Sequence, residues 1–406
     1  MITRFPPSPT GPLHIGNVRT ALFNYLFAKK HGGQFIVRIE DTDKTRSKKE
    51  YEDDMLESLV WLGIKREGEL WHQSERTEIY KKYLHKLIDD GKAYISHETE
   101  GENREVVRFK NPNKKVAFDD LIRGAVEFDT TELEDFIIAR NIDDPVYHLA
   151  VVVDDAEAGV THIIRGEDHI SNTPRHILIQ EALGFPRPIY AHLPLILASD
   201  KSKLSKRKHG EAVSLNYYRA KGYLPEAMVN YLALLGWNPG TEQEIFTMEE
   251  LIGQFDLAKI QKGGAIFDEK KLEWVNKEHI KRLPPEEQRK LLVKSLEGEP
   301  YLVGEPELDL EKLPWKKVSK EETVVYLEKV LEIISSGNMS RVPLDIMRYA
   351  EREGRGNVLW PVRYALTGAT ASPDPFIILE ILGKEKSLGR LEKAIMALKN
   401  AEIKDS

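Results

Sequence analysis

Hydrophobic and polar positions follow two rhythms in this chain, and the first forty residues carry both. Ile2 to Phe5 is a short run that reads as a strand. From Asn17 onward Val18, Ala21, Leu22, Tyr25 and Leu26 recur at helical spacing, with Phe23 and Phe27 as a second stripe, so a helix buried on two sides is expected. Gly32 and Gly33 can end it, because glycine tolerates the left-handed conformation that closes a helix. Phe35 to Ile39 is the next strand. Strand, helix, strand with a tight first turn is a βαβ unit and implies a parallel sheet. Residues 48–63 and 75–90 are helical in pattern, with charges on their exposed faces. Between 92 and 140 the text turns polar, with short β-like runs such as Val106–Phe109, and reads as an inserted domain. Tyr147–Val153 and Val160–Ile164 are continuous apolar runs, the pattern of strands covered on both faces. A helix from about Thr173 to Leu183 and a strand near Ile189 to Leu197 would complete the sheet. After residue 213 helices dominate: Pro225–Leu235 has proline in its first turn, and Leu388, Leu391, Ile395 and Leu398 mark an amphipathic helix. Proline, glutamate and lysine accumulate from Lys281 to Lys320, which suggests a domain boundary there.

Composition narrows the class. The 406 residues allow two to four domains, and 41% hydrophobic with 31% charged residues supply a sizeable core. No apolar run reaches ~18 residues, so no membrane span is expected. The N-terminus has no signal-peptide pattern, and a cytoplasmic protein is expected. The chain has no cysteine, which excludes disulfides, thiolate zinc sites and cysteine nucleophiles. A net charge of −7 means that any nucleic-acid contact must come from local basic patches.

Two motifs change the picture. His14-Ile15-Gly16-Asn17 sits where the first strand's loop becomes a helix. Helix N-termini favour phosphate, Gly16 lets a planar group approach the backbone, and His14 can donate to phosphate oxygens. Lys203-Leu204-Ser205-Lys206-Arg207 lies in a basic run from Lys201 to His209 that can close over a triphosphate. Each alone has an ordinary reading, as a capped helix and as a solvated loop.

Together, HIGN and KLSKR resemble the signature pair of the class I aminoacyl-tRNA synthetases. Arg4–Gly11 (RFPPSPTG), Phe35–Asp43 (FIVRIEDTD), Tyr147–Asp155 (YHLAVVVDD), Ile164–Thr173 (IRGEDHISNT) and Trp360–Gly368 (WPVRYALTG) resemble glutamyl-tRNA synthetases closely. The likeness covers most of the chain and is weakest from about 284 to 340. It implies an α/β Rossmann-like catalytic domain, a doubly wound parallel sheet, at 1–82 and 139–212. An inserted α+β acceptor-binding domain would span 83–138, a stem-contact helical domain 213–283 and an all-helical anticodon-binding region 284–406.

The resemblance also implies chemistry: glutamate attacks the α-phosphorus of ATP, and the adenylate then passes its acyl group to the tRNA 3′ end. Carried over by motif, His14 and Lys206 are catalytic, and His14, Gly16, Asp168, Lys203 and Lys206 bind ATP. Arg4, Ser8, Glu40, Tyr147 and Arg165 bind glutamate. On the residues alone Arg165 would pair with Glu167 or Asp168, and Glu40 would be a surface charge at a strand end. ATP is expected with Mg²⁺, and the partners implied are tRNA(Glu), L-glutamate and ATP, with no membrane and a monomeric chain. Lys92–His97, where many relatives place zinc-binding cysteines, has none, so no structural zinc is expected. Trp360, Arg363 and Arg355 are candidates for the anticodon end. A glutamyl enzyme that also charges tRNA(Gln), a nucleotidyltransferase and a tRNA-modifying relative stay open.

Overall fold

The structure is a computed structural model that describes residues 1–98, 105–296 and 299–405. It divides into two compact units, Met1–Arg282 and Leu283–Ser406.

The first unit opens as the spacing predicts. Strand β1 (Ile2–Phe5) leads through a proline-rich loop into helix α1 (Ile15–Lys30) and returns as β2 (Gln34–Ile39), parallel to β1. Helix α2 (Lys49–Trp61) leads to β3 (Trp71–His72), which lies parallel to β2, and then to α3 (Thr77–Asp89). The inserted stretch supplies β4 (Ala93–His97), β5 (Glu105–Phe109), β6 (Lys115–Asp120), β7 (Gly124–Asp129), β8 (Phe136–Asn141) and β9 (Asp144–Pro145). Strands β4, β5, β8 and β9 form an antiparallel sheet of their own.

The run Tyr147–Val153 is not a strand: it begins α4 (Tyr147–Glu157). Leu149 to Asp155 are all buried, so this helix is enclosed around its circumference. An enclosed helix and a doubly covered strand both read as an unbroken apolar run. The residues that follow, Asp154 to Glu157 with Gly159 at φ 65°, suit a helix end rather than a strand.

Strand β10 (His162–Gly166) runs beside β1, where Thr161 N donates to Ile2 O at 3.0 Å. Helix α5 (Thr173–Leu183) then returns the chain to β11 (Ile189–Leu193), parallel to β10. Tyr190 of β11 pairs with Asp120 of β6, and β6 pairs antiparallel with β7. Two strands of the inserted stretch therefore extend the sheet of β10 and β11. Pro194 breaks the strand expected as far as Leu197. Its second part is β12 (Ile196–Leu197). From β1 the chain winds outward one way and from β10 the other, so the carboxyl ends of these strands flank a topological switch point, the usual place for a ligand crevice.

The rest of this unit comprises α6 (Lys206–His209), α7 (Leu215–Ala220), α8 (Pro225–Leu234), α9 (Met248–Gln254), β13 (Ala265–Ile266), which pairs with β12, and α10 (Glu269–Lys281). The sheet separates two cores by strand alternation. Phe35, Val37, Ile39, Ile164 and Ala191 face the core of α1 and α8, whereas Ile36, Ile163 and Tyr190 face that of α4 and α5.

The second unit is helical among its described residues: α11 (Pro285–Leu296), α12 (Pro300–Val303), α13 (Lys320–Ser336), α14 (Val342–Glu353), α15 (Arg355–Thr367) and α16 (Pro375–Asp405). The stripe Leu388–Leu398 lies in α16, which Gly383 interrupts with φ 73°. Leu327, Val330, Ile346, Val358, Leu366 and Leu391 form its core. No helix among the described residues is long and apolar enough to cross a membrane.

Candidate active site

A cleft of about 600 Å³ opens at the carboxyl ends of β1 and β10. It is lined by Arg4, Ser8, His14, Gly16, Glu40, Tyr147, Arg165, Asp168 and Lys203, all singled out in the sequence. Lys206 opens helix α6, but its side chain lies outside the described residues.

One end is built from buried charge. Arg4, on β1, directs Nε to Asp155 at 3.2 and 3.3 Å, while its buried Nη1 has no hydrogen-bond partner. Arg38, on β2, reaches Asp155 at 2.7 Å, Glu40 at 3.1 Å and Asp154 at 3.4 Å. Asp154 also accepts from Gln73 at 3.0 Å, Arg76 at 2.7 Å and Tyr80 at 2.8 Å. Burial pushes the Asp155 carboxyl up, but Arg4 and Arg38 outweigh it and hold the group below the usual range. For Glu40 the balance is reversed: burial dominates, Arg38 offsets it only in part, and the carboxyl sits above its usual value. Glu40 is therefore a buried carboxyl rather than a strand-end surface charge, at 8% exposure.

Arg165 differs again. Glu167 pairs with Arg123, and Asp168 pairs with Lys203 at 3.0 Å, so neither meets Arg165. Its guanidinium, 5% exposed, donates to His192 Nε2 at 3.2 Å, His176 Nδ1 at 3.2 Å and Thr173 Oγ1 at 2.8 Å. No carboxylate among the described residues lies within ion-pair distance of it, and burial pulls its pKa down. Guanidinium only donates, so these two imidazoles must accept. Their protons then sit on His192 Nδ1, 2.6 Å from Asp120, and on His176 Nε2, 3.2 Å from His148. Burial holds His176 well below its usual pKa and His148 at about 4. The Tyr147 hydroxyl lies 3.3 Å from His169 Nδ1, and burial, with Glu40 adding to it, pushes the phenol up to about 12.

The other end is built from backbone. His14 is the N-cap of α1, and its Nδ1 accepts from Gly16 N at 3.0 Å. Burial, with the charge of Lys203 behind it, lowers the imidazole pKa, so the neutral ring carries its proton on Nε2. The capped helix with a satisfied histidine and a donor lining the cleft are thus the same side chain. A Cβ on Gly16 would lie 3.3 Å from His14 Nδ1. Leu13 O accepts from Leu215 N at 3.1 Å, and His14 bridges Ser214, which ties this loop to the chain just after the basic run. Ser8 is exposed at the lip of the cleft. A buried cation without an anion, beside Glu40 and a phenol, suits a small zwitterion that carries a second carboxylate. A helix N-terminus, an imidazole N–H and a lysine suit phosphate.

The sequence reading did not single out Arg38, Asp154, His192, His176 or Asp120. The Asp154-Asp155 pair closing an apolar helix is a local signal for part of this set; the partners lie too far along the chain to be inferred from spacing. In the second unit Trp360 stacks near Trp315 and Tyr364, at 5.0 and 6.3 Å between ring centres, and donates to Lys312 O at 2.9 Å. Arg363 lies 4.8 Å from the Trp360 ring, and Arg355 pairs with Glu351 at 2.9 Å. Among the described residues no group of three or more His, Asp or Glu side chains is arranged to hold a metal ion.

Comparison with known proteins bears on this geometry. Residues 1–105 and 96–274 match the catalytic domain of the class I tRNA synthetases for E and Q, and 263–395 match an anticodon binding domain. A glutamate–tRNA ligase of Carboxydothermus hydrogenoformans is 41% identical over 98% of this chain and 99% of its own length. That alignment is 482 residues long, so the relative carries segments that this chain of 406 lacks. A second, from Thermodesulfovibrio yellowstonii, is 40% identical over 97% and 99% of the two chains. The crystal structure of a glutamate tRNA ligase from Elizabethkingia meningosepticum in complex with its amino acid superposes with a TM-score of 0.76 at 31% identity, covering 98% of this chain and 99% of that one.

Proposed function

We propose a division of labour within the cleft of a chain that belongs to the class I synthetases for glutamate and glutamine, and among them to the glutamate–tRNA ligases. The reaction is ATP-dependent. The α-carboxylate of glutamate attacks the α-phosphorus and expels pyrophosphate, and a ribose hydroxyl at the tRNA 3′ end then takes the acyl group and releases AMP. Arg165 and the free Nη1 of Arg4 receive the substrate carboxylates, Glu40 receives the ammonium, and Tyr147 and Ser8 supply hydroxyls. Glutamine would present a neutral amide to Arg165, a loss of about 2–4 kcal/mol, or roughly 30- to 1,000-fold.

At the other end His14 Nε2–H donates to the phosphates, Gly16 gives the nucleotide access to the backbone, Asp168 takes the ribose, and Lys203 and Lys206 neutralise the departing pyrophosphate. Such chemistry needs positioning and charge compensation more than covalent help. Magnesium enters as part of the nucleotide substrate, on phosphate oxygens. The tRNA(Glu) acceptor end is received by 83–138, its stem by 213–283 and its anticodon by 284–406, with Trp360, Arg363 and Arg355 at the distal contact. The chain acts as a cytoplasmic monomer.

The single observation that carries this reading is the buried guanidinium of Arg165, held by neutral acceptors and facing the cleft. Aminoacylation of purified glutamate and glutamine tRNAs with radiolabelled glutamate, and in parallel with radiolabelled glutamine, tests it. Charging of tRNA(Glu) is expected. A blank with glutamate, alongside activity with glutamine, would remove Arg165 from the role of carboxylate anchor.

A further inference from the structure

Asp120 lies on β6, in the inserted stretch, yet it terminates a chain of hydrogen bonds that ends in the amino-acid pocket. Its Oδ2 is 2.6 Å from His192 Nδ1, and His192 Nε2 accepts from Arg165 Nε at 3.2 Å. His192 is fully buried and Asp120 is 4% exposed. Both oxygens of Asp120 are surrounded by donors: Oδ1 by the backbone N–H of Ile122 and Arg123, Oδ2 by His192 N and Nδ1. We propose that Asp120 is a positioning residue for substrate recognition, which fixes the His192 tautomer so that Nε2 stays an acceptor and holds the Arg165 guanidinium in its carboxylate-binding orientation.

An anion is needed at this point. An ionised carboxylate only accepts, so it compels His192 to carry its proton on Nδ1. An asparagine whose NH₂ turned toward Nδ1 would compel the other tautomer. Two N–H groups, His192 Nε2 and Arg165 Nε, would then face each other; the Nε2 proton could turn to Thr173 Oγ1, 3.1 Å away and already an acceptor for Arg165 Nη2, but the guanidinium would lose the acceptor that holds its Nε. A buried carboxylate that selects a histidine tautomer performs the same service in the Ser-His-Asp arrangement. Arg165 itself is poorly fixed without this support, because its other two partners are a hydroxyl and a second neutral imidazole.

This inference rests on the reading of Arg165 as the glutamate anchor, and the experiment separates the two. Steady-state aminoacylation is measured for D120N, R165Q, H192Q and the double variant D120N/H192Q. Asp120→Asn is expected to raise the KM for glutamate roughly 10- to 30-fold while the KM for ATP and kcat stay within about twofold, the pattern of a lost binding interaction. In H192Q an amide oxygen can stand where Nε2 accepts, and there is no tautomer to fix. Adding D120N to it should then change the glutamate KM less than about twofold, a non-additivity that a purely structural Asp120 would not produce. The ¹⁵N resonances of the His192 ring give an independent readout: a proton on Nδ1 in the wild type and on Nε2 in D120N. An unchanged glutamate KM in D120N, a full-sized effect of D120N in the H192Q background, or an unprotonated Nδ1 in the wild type overturns the inference. An unchanged glutamate KM in R165Q overturns instead the reading on which it rests.

Discussion

The two units of this chain place charge in opposite ways. In Met1–Arg282, Arg4, Arg38, Glu40, Asp154, Asp155 and Arg165 are all buried, whereas the buried charged residue among the described part of Leu283–Ser406 is Arg390, held by the carbonyls of Leu366 and Gly304. All twelve histidines fall in the first unit. Interiors do not gain stability from such groups, since desolvation commonly cancels the Coulombic return. The second unit shows what the chain does when packing alone is at stake: apolar stripes meet, and ion pairs such as Lys399–Glu328 and Lys329–Glu332 stay at the surface. Of the buried charges of the first unit Arg4, Glu40 and Arg165 line the cleft, and the fold bears their cost.

The sharpest way to break this contrast is Arg38→Met, which removes the cation shared by Asp155, Glu40 and Asp154. A loss of about 3–5 kcal/mol is expected in the first unit, because three carboxylates would lose a buried partner. Hydrogen exchange should show protection falling across β1, β2 and α4 while α13 to α16 keep theirs. Equal loss in both units would make them one cooperative body and end the comparison.

Acid should separate the units less drastically. His148 and His169 titrate at about 4, and His14, His162, His176 and His192 are also lowered, each chiefly by burial. Below pH ~6.5 the unfolded chain binds protons that the native one refuses, so stability that is complete above that pH declines toward pH 4. Exchange corrected for its intrinsic pH dependence should show opening of the first unit rise at least about a hundredfold between pH 6.5 and 5, roughly tenfold or more for each of His148 and His169. The second unit, which has no histidine, should stay flat over that window.

Arg363→Ala should have the smallest effect. Arg363 is already engaged by Trp360 and by the carbonyls of Thr370 and Ser372. Its removal should raise the KM for tRNA only about 2- to 5-fold, as expected for one half-buried contact among many, and leave that for glutamate unchanged. A change in glutamate KM would show that charge in the second unit also serves amino-acid selection.

Local signals in the sequence explain what was legible. Strand β1 and helix α5 have the expected ends because proline, glycine and a clear period bound them. Helix α4 reads as a strand because complete enclosure erases the period that separates helix from strand. HIGN and KLSKR were found as motifs, and His14 and Lys203 do line one cleft. What could not be read was pairing. Arg4 and Asp155 are 151 residues apart, and His192 and Asp120 are 72 apart. On the residues alone Arg165 would pair with its neighbours Glu167 and Asp168, whereas those carboxylates turn to Arg123 and Lys203. Proximity in sequence is a poor guide wherever a parallel sheet brings distant strand ends together.

The clasp between Leu13 and Leu215 has a consequence for the chain as it is made. At roughly 5–20 residues per second, a ribosome needs about 10–40 s to deliver the second half of that contact after the first has emerged. Through that interval the amino-terminal loop is synthesised but lacks its tie to Ser214 and Leu215, so the order of translation sets this clasp only after strands β1 to β12 have all been made.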